Sequence, residues 1–169
     1  NTLQYPVCMF GALRAGYVVV NCNPLYTPRE LEHQLKDSGA DVIVIMENFA
    51  ATLEEILAKT PVKHVVLTKM GDMLGFPKGA IVNFVVKYVK KLVPHYNLPR
   101  AQALNSVLSK GAGAELKPVE INHDDIAFLQ YTGGTTGVSK GAMLLHSNIV
   151  GNVLQAYAWI KPAIKEGEE

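Results

Sequence analysis

The stretch of this chain best equipped for chemistry is Tyr131 to Gly141, YTGGTTGVSKG, where four glycines, three threonines, one serine and one lysine share eleven positions. Gly133, Gly134, Gly137 and Gly141 permit positive φ and let the backbone approach a ligand with no Cβ in the way. Consecutive amides in such a loop can turn inward as an anion nest. Thr132, Thr135, Thr136 and Ser139 add hydroxyl donors, and Lys140 adds a mobile positive charge. That inventory matches the several oxygens of a polyphosphate such as that of ATP. A loop that only reversed the chain would need the glycines but would gain nothing from the hydroxyls and the lysine set among them.

Two better-known phosphate motifs do not fit. A P-loop runs G-x-x-x-x-G-K-[ST] into a helix, whereas Lys140 lies three residues after Gly137 and is followed by Gly141-Ala-Met-Leu-Leu. The dinucleotide fingerprint G-x-G-x-x-G is absent, and no helix start directly follows the glycines.

The elements around the loop must hold it. Ile126–Tyr131 and Gly141–Leu145 both have strand character, so the loop is expected between two strands, with Ser147 capping a final helix through Tyr157. Upstream, residues 5–15 predict a buried helix, with Pro6 in its first turn and Gly16 just past its end. Tyr17–Val20 predicts a strand. Thr27, Pro28 and Glu30 form a capping box for a helix carrying Leu31 and Leu35 on one face. Asp41–Met46 is an apolar strand, Asn48 is placed to cap a helix bearing Phe49, Leu53, Ile56 and Leu57, and His64–Thr68 is the next strand. This alternation predicts an α/β fold of parallel βαβ units, a parallel sheet with right-handed crossovers and apolar strands covered on both faces, joined to the strand-loop-strand segment.

Ile81–Val93, IVNFVVKYVKKLV, predicts a broadly apolar helix with Asn83, Lys87, Lys90 and Lys91 on one narrow arc. It is too short to span a bilayer, which leaves packing against protein or a peripheral contact in a membrane interface. A further helix is expected at Ala101–Leu108, followed by a KGAGAELKP connector.

Composition narrows the partners. Sixteen Lys and Arg against 15 Asp and Glu leave a net charge of +1, so no global field recruits nucleic acid and any anion site must be local. Cys8 and Cys22 lack a CxxC or metal-ligand spacing and fit reduced, buried thiols in a cytoplasmic protein. The apolar N-terminal run is broken by Pro6, Gly11, Arg14 and Gly16 before it could cross a membrane. His123-Asp124-Asp125 fits a solvated turn rather than a metal cluster. His33, His64 and His95 form no defensible hydrolytic order. His146 fits either a residue facing the acyl or nucleotide site or a helix-start histidine satisfied by backbone, and is not counted as catalytic.

YTGGTTGVSKGAM resembles the phosphate-binding motif of the adenylate-forming acyl-CoA synthetase superfamily, which commonly has Ser where this chain has Gly133. NPLYTPRELEHQLKDSGA and FLQYTGGTTGVSKGAMLLH resemble the bacterial long-chain fatty-acid CoA ligase branch, over essentially all 169 residues. The resemblance implies that a fatty carboxylate is activated by ATP and Mg²⁺ to an acyl-adenylate and then transferred to CoA. It implies that Thr132 contacts Mg²⁺ or a phosphate. Thr135, Thr136 and the loop amides would hold the β- and γ-phosphates, and Lys140 would balance leaving-group charge. Thr132 and Lys140 are thus the expected catalytic residues. Tyr131, Gly133, Gly134, Thr135, Thr136, Gly137 and Ser139 complete the expected phosphate cradle. The Gly133 departure removes one hydroxyl. The adenine, ribose, acidic-magnesium and C-terminal lysine motifs of the family have no counterpart here, so residues 1–169 are expected to be part of an N-terminal AMP-binding domain without its C-terminal domain. On that expectation the segment alone is inactive, and the rest of the parent chain is its first partner. Peripheral association with the inner membrane would run through residues 81–93.

Overall fold

The computed structural model describes residues 2–132 and 139–163. The chain divides into two compact units, the first from residues 1–11 and 22–118, the second from residues 12–21 and 119–169.

The first unit is built on a parallel sheet of β2 (Val42–Met46), β3 (His64–Thr68) and β4 (Gln102–Ala103), in the order β2-β3-β4. β2 and β3 pair in register from Val42 opposite His64 to Met46 opposite Thr68. Helices α2 (Pro28–Ser38) and α3 (Ala50–Ile56) lay Leu31, Leu35, Leu53 and Ile56 against Ile43 and Val65 to form the core. Full burial of each such side chain stabilises by about 1.5–3 kcal/mol.

The capping box of α2 forms as the sequence predicts. Glu30 N–H donates to Thr27 Oγ1 at 3.4 Å, and Thr27 N–H donates to Glu30 Oε2 at 2.8 Å. Gly39 closes the helix in the left-handed region, φ 65°, its N–H donating to Lys36 O. Without a Cβ it adopts that conformation at no steric cost.

Several expectations are corrected. Tyr17–Val20 yields only β1 (Val19–Val20), which joins the other sheet beside Phe128 and Leu129 rather than β2. Gly16, φ 77°, explains part of this: a Cβ there would lie 2.8 Å from Val119 Cγ1, so β1 starts packed on the segment that leads to its true partner. Cover on both faces is not found for β2, where Val42 and Val44 remain 44% and 43% exposed.

Helix α1 (Gln4–Arg14) forms, yet it buries only Gln4, whose Nε2 donates to Lys69 O at 2.7 Å. Asn48 does not cap α3. It lies in a 3₁₀ turn, Glu47–Phe49, and sends Nδ2 to Leu92 O at 2.9 Å. The helix expected from Ile81 starts earlier, as α4 (Lys78–Phe84), and widens into a π-helical turn, Val85–Val89. The helix expected at Ala101–Leu108 is α5 (Leu104–Ala112), preceded by β4.

Both cysteines are free and half-buried, and burial pushes the Cys22 thiol up to about 11. No helix among the described residues is long and apolar enough to cross a membrane.

The second unit holds β5 (Ile126–Thr132), β6 (Lys140–Leu145) and helix α6 (His146–Ile160), with β5 central in the order β1-β5-β6. β1 is parallel to β5 and β6 is antiparallel to it. A bulge interrupts the β5–β6 ladder between Ile126 and Phe128.

Candidate phosphate-binding site

β5 and β6 converge on the glycine-rich loop. Their last two pairs are Tyr131 opposite Gly141 and Thr132 opposite Lys140. Successive residues of a strand face opposite sides, and directly paired residues share a side. Tyr131 and Gly141 therefore face one way and Thr132 and Lys140 the other. Tyr131 is buried, while Thr132 and Lys140 are exposed.

The buried pair shows what Gly141 is for. A Cβ built on Gly141 would stand 2.9 Å from Tyr131 Cε2 and 3.0 Å from its Cζ, so the ring occupies the space a side chain would need. The expectation that Gly141 supplies positive φ is corrected: the positive-φ glycines among the described residues are Gly16, Gly39 and Gly75. An aromatic ring laid over a cross-strand glycine pins the register at that point.

The exposed pair carries the chemistry. Thr132 presents a hydroxyl and Lys140 an ammonium on the same side of the ladder, at the two ends of the loop. Lys140 forms no ion pair among the described residues. Ser139 Oγ donates to Thr132 O at 3.3 Å, which ties the returning end of the loop to the departing one. Of the expected site residues, the structure thus brings together Tyr131, Thr132, Ser139 and Lys140. Gly133, Gly134, Thr135, Thr136 and Gly137 lie outside the described residues.

Beyond Leu145, Asn148 rather than Ser147 supplies the helix start, its Oδ1 accepting Leu145 N–H at 2.9 Å. Ser147 N–H instead donates to His123 O at 2.9 Å and His146 N–H to Asp125 O at 3.0 Å. Asp125 Oδ2 accepts Asn122 N–H at 2.6 Å, so 122–125 is a hydrogen-bonded turn that holds the root of α6. No group of three His, Cys, Asp or Glu side chains among the described residues is arranged to bind a metal ion.

Sequence reasoning missed the Tyr131–Gly141 contact, although its signal was present: an aromatic residue and a glycine stand equally far from the loop centre on two strands. It also missed Asn148, an acceptor three residues after Leu145.

A family model described as AMP-binding enzyme matches residues 1–168. The chain belongs to that family. It is 62% identical over 160 residues to a long-chain-fatty-acid–CoA ligase of Haemophilus influenzae, covering 95% of this chain and 28% of the relative. It is 58% identical over 169 residues to a protein of the same description from Salmonella typhi, covering 100% of this chain. The chain spans only 30% of that relative's length. Among solved structures, a long-chain-fatty-acid–CoA ligase from Archaeoglobus fulgidus superposes with a TM-score of 0.66 at 26% identity, over 93% of this chain and 25% of that one. The α/β architecture with parallel strands is that of this part of the adenylate-forming enzymes.

Proposed function

We propose that this chain is the phosphate-handling part of the N-terminal AMP-binding domain of a long-chain fatty acid–CoA ligase. The supporting relatives are ligases of that description, and the observation that carries the reading is the exposed Thr132–Lys140 pair at the mouth of the loop. In the first half-reaction a carboxylate oxygen of the fatty acid attacks the α-phosphorus of ATP, and the bond to pyrophosphate breaks. In the second, the CoA thiol attacks the acyl carbonyl, its proton is lost, and AMP leaves.

This chain contributes to the first step. Charge builds on the departing pyrophosphate, and Lys140 is placed to balance it while Thr132 and Ser139 offer hydroxyl donors. Tyr131, expected in the cradle, lays its ring over Gly141 and so positions both strands. The amides and hydroxyls of Gly133, Gly134, Thr135, Thr136 and Gly137 complete the cradle. Magnesium fits this donor set, since it keeps several waters and is held largely by phosphate oxygens, so the exposed Thr132 hydroxyl is a suitable hard oxygen neighbour. Its chemistry when bound is neutralisation of phosphoryl charge. The enzyme works in the cytoplasm and draws its acid from the inner membrane through a peripheral contact at residues 81–93.

Lys140→Ala and Thr132→Ala in the full-length enzyme should each slow fatty-acid-dependent ATP–pyrophosphate exchange by roughly ten- to a hundredfold, the loss of one charge-assisted hydrogen bond in the transition state. CoA transfer from pre-formed acyl-adenylate should be nearly unchanged, because pyrophosphate has already departed. An equal fall in both steps would remove the assignment to phosphate chemistry. Exchange supported by an aryl acid but not by a long-chain acid would retain the adenylation step and overturn the substrate class.

A further inference from the structure

The first unit has a cavity at the carboxyl ends of its strands. Glu47 directly follows β2, Lys69 directly follows β3 and Ala103 ends β4, and all three line it. Its volume is about 320 Å³, at the small end of the range that holds compact ligands. Parallel α/β sheets place their ligands at this end of the strands. Glu47 is 2% exposed, and its Oε2 is buried and meets no hydrogen-bond donor among the described residues. A carboxylate oxygen in that position is costly until a donor reaches it. The other acid of the cavity is already engaged. Asp72 Oδ2 accepts Lys69 N–H at 2.8 Å and the Thr68 hydroxyl at 3.2 Å, while Oδ1 accepts Asn83 Nδ2 at 3.2 Å. Asn83, expected on the lysine arc, is thus a tether that fixes this wall.

The remaining walls suit a flat body with an anionic end. Leu67, Ala101 and the half-buried Tyr96 ring give apolar surface. A strap holds Tyr96 there: Leu92 O accepts Asn48 Nδ2 at 2.9 Å, and Asn97 N–H donates to Glu54 Oε2 at 2.9 Å, so both its ends are tied to the segment that follows β2. Burial first, and then the charge of Glu47, push the Tyr96 hydroxyl up, with Lys87 acting against both, so phenol and carboxylate share one field. At the rim Lys69 is exposed and forms no ion pair among the described residues. Its main chain is pinned by Gln4 Nε2, which donates to Lys69 O at 2.7 Å. A ligand made for these groups has hydroxyl donors for Glu47, a ring for Tyr96 and Leu67, and an anion for Lys69. A vicinal diol offers two donors to one carboxylate, which is how an acid at a strand end takes ribose hydroxyls. A bare anion would be repelled by Glu47, and a simple amine would leave Lys69 and the ring unused.

We propose that this cavity binds a ribonucleoside 5′-phosphate, with Glu47 accepting from the 2′- and 3′-hydroxyls, Tyr96 against the base and Lys69 at the phosphate. CoA does not fit the same groups, because its 3′-phosphate removes one hydroxyl and sets like charge beside a buried carboxylate. The proposal goes beyond the ligase reading and does not rest on it; what that reading adds is a source, the AMP that leaves in the second half-reaction.

Labelled AMP is dialysed to equilibrium against the full-length enzyme saturated with a non-hydrolysable acyl-sulfamate analogue of the acyl-adenylate, which occupies the adenylation site. AMP should still bind. The 2′,3′-dideoxy nucleotide should bind about ten- to a hundredfold more weakly, the loss of hydrogen bonds to a charged group, and CoA should not displace AMP. Glu47→Gln should weaken AMP by a similar factor, and Lys69→Ala by only about two- to fivefold, since that contact is exposed. No AMP on the saturated enzyme, equal binding of the dideoxy nucleotide, displacement by CoA, or unchanged affinity in Glu47→Gln each overturns the proposal. The dideoxy and CoA comparisons use the unaltered enzyme, so they decide the matter even where Glu47→Gln does not fold. Failure of the ligase reading looks different: the analogue does not bind and ATP–pyrophosphate exchange is absent, while AMP binding still depends on the ribose hydroxyls and on Glu47.

Discussion

At the scale of single residues, Tyr131 and Gly141 show how a site is held by groups that do no chemistry. The ring fills the space above Gly141, so the loop's two ends meet in one register only. Gly141→Ala would force a methyl to within 2.9 Å of the ring. We expect this overpacking to destabilise the strand pair by about 1–3 kcal/mol, seen as a lower melting temperature, with ATP–pyrophosphate exchange falling as well. A companion Tyr131→Leu change, which removes the ring's far edge, should restore part of the lost stability. If Gly141→Ala melts like the wild type, the contact does not constrain the ladder. The chemical content of this region was legible in the sequence, because hydroxyls, glycines and a lysine are visible as residue types. The steric role of Gly141 was not, because it depends on which residue lies across the ladder.

At the scale of elements, local signals were legible and distant ones were not. The Thr27–Glu30 box is written within four residues and forms as expected. Asn48, by contrast, was given a local role, yet its amide is held by Leu92 O, a partner 44 positions away that no window on the chain could reveal. β4 is two residues long, Gln102–Ala103, and has none of the β-branched character that marks its neighbours; only alignment beside Val66 and Leu67 makes it a strand.

The same box gives a pH prediction. The Thr27 hydroxyl, and then the Thr27 N–H, hold the Glu30 carboxyl below its ordinary range. A carboxylate whose folded value is lowered stabilises fully above the unfolded value, near ~4.3, and loses that contribution as the pH falls through the folded value. The stability difference between wild type and Glu30→Gln should therefore be present at neutral pH and shrink only as the solution is acidified below about pH 4. Denaturant midpoints measured across that range would check it, and a constant difference down to the acid limit would show that the carboxylate's charge is not what matters.

At the scale of the whole molecule, the two units differ in how far each is finished. The first has a continuous core in which Leu53 has no exposed surface. Leu53→Ala should cost about 2–5 kcal/mol, the transfer loss plus the cavity it leaves. Urea unfolding of the full-length enzyme would measure this, and a cost below about 1 kcal/mol would mean the site collapses freely. The second unit buries Ala127 and Tyr131, whereas α6 buries nothing and leaves Val153, Leu154 and Trp159 exposed. The α/β class and the strand-loop-strand arrangement were both legible, since apolar runs and helix caps report on elements one at a time. The division into two sheets was not. Val19 and Val20 suit either sheet by composition, and their place beside β5 follows from long-range packing such as that of Gly16 on Val119.

The bulge on β5 acts as a vernier. Ile126 is matched to Leu145, but Phe128 is matched to Leu144, so two steps along one strand answer one step along the other. From there to the loop the scales advance together, and the offset set at Ala127 is carried unchanged to the far end. Count the same ladder without that surplus step and Tyr131 would fall opposite Lys140, with Gly141 opposite Gln130. The ring would then lie against a charged side chain instead of the bare backbone that accommodates it, and Thr132 would face Ser139. The alignment of the hydroxyl with the ammonium at the loop's mouth is thus set at the opposite end of the strand, by one buried alanine that touches neither.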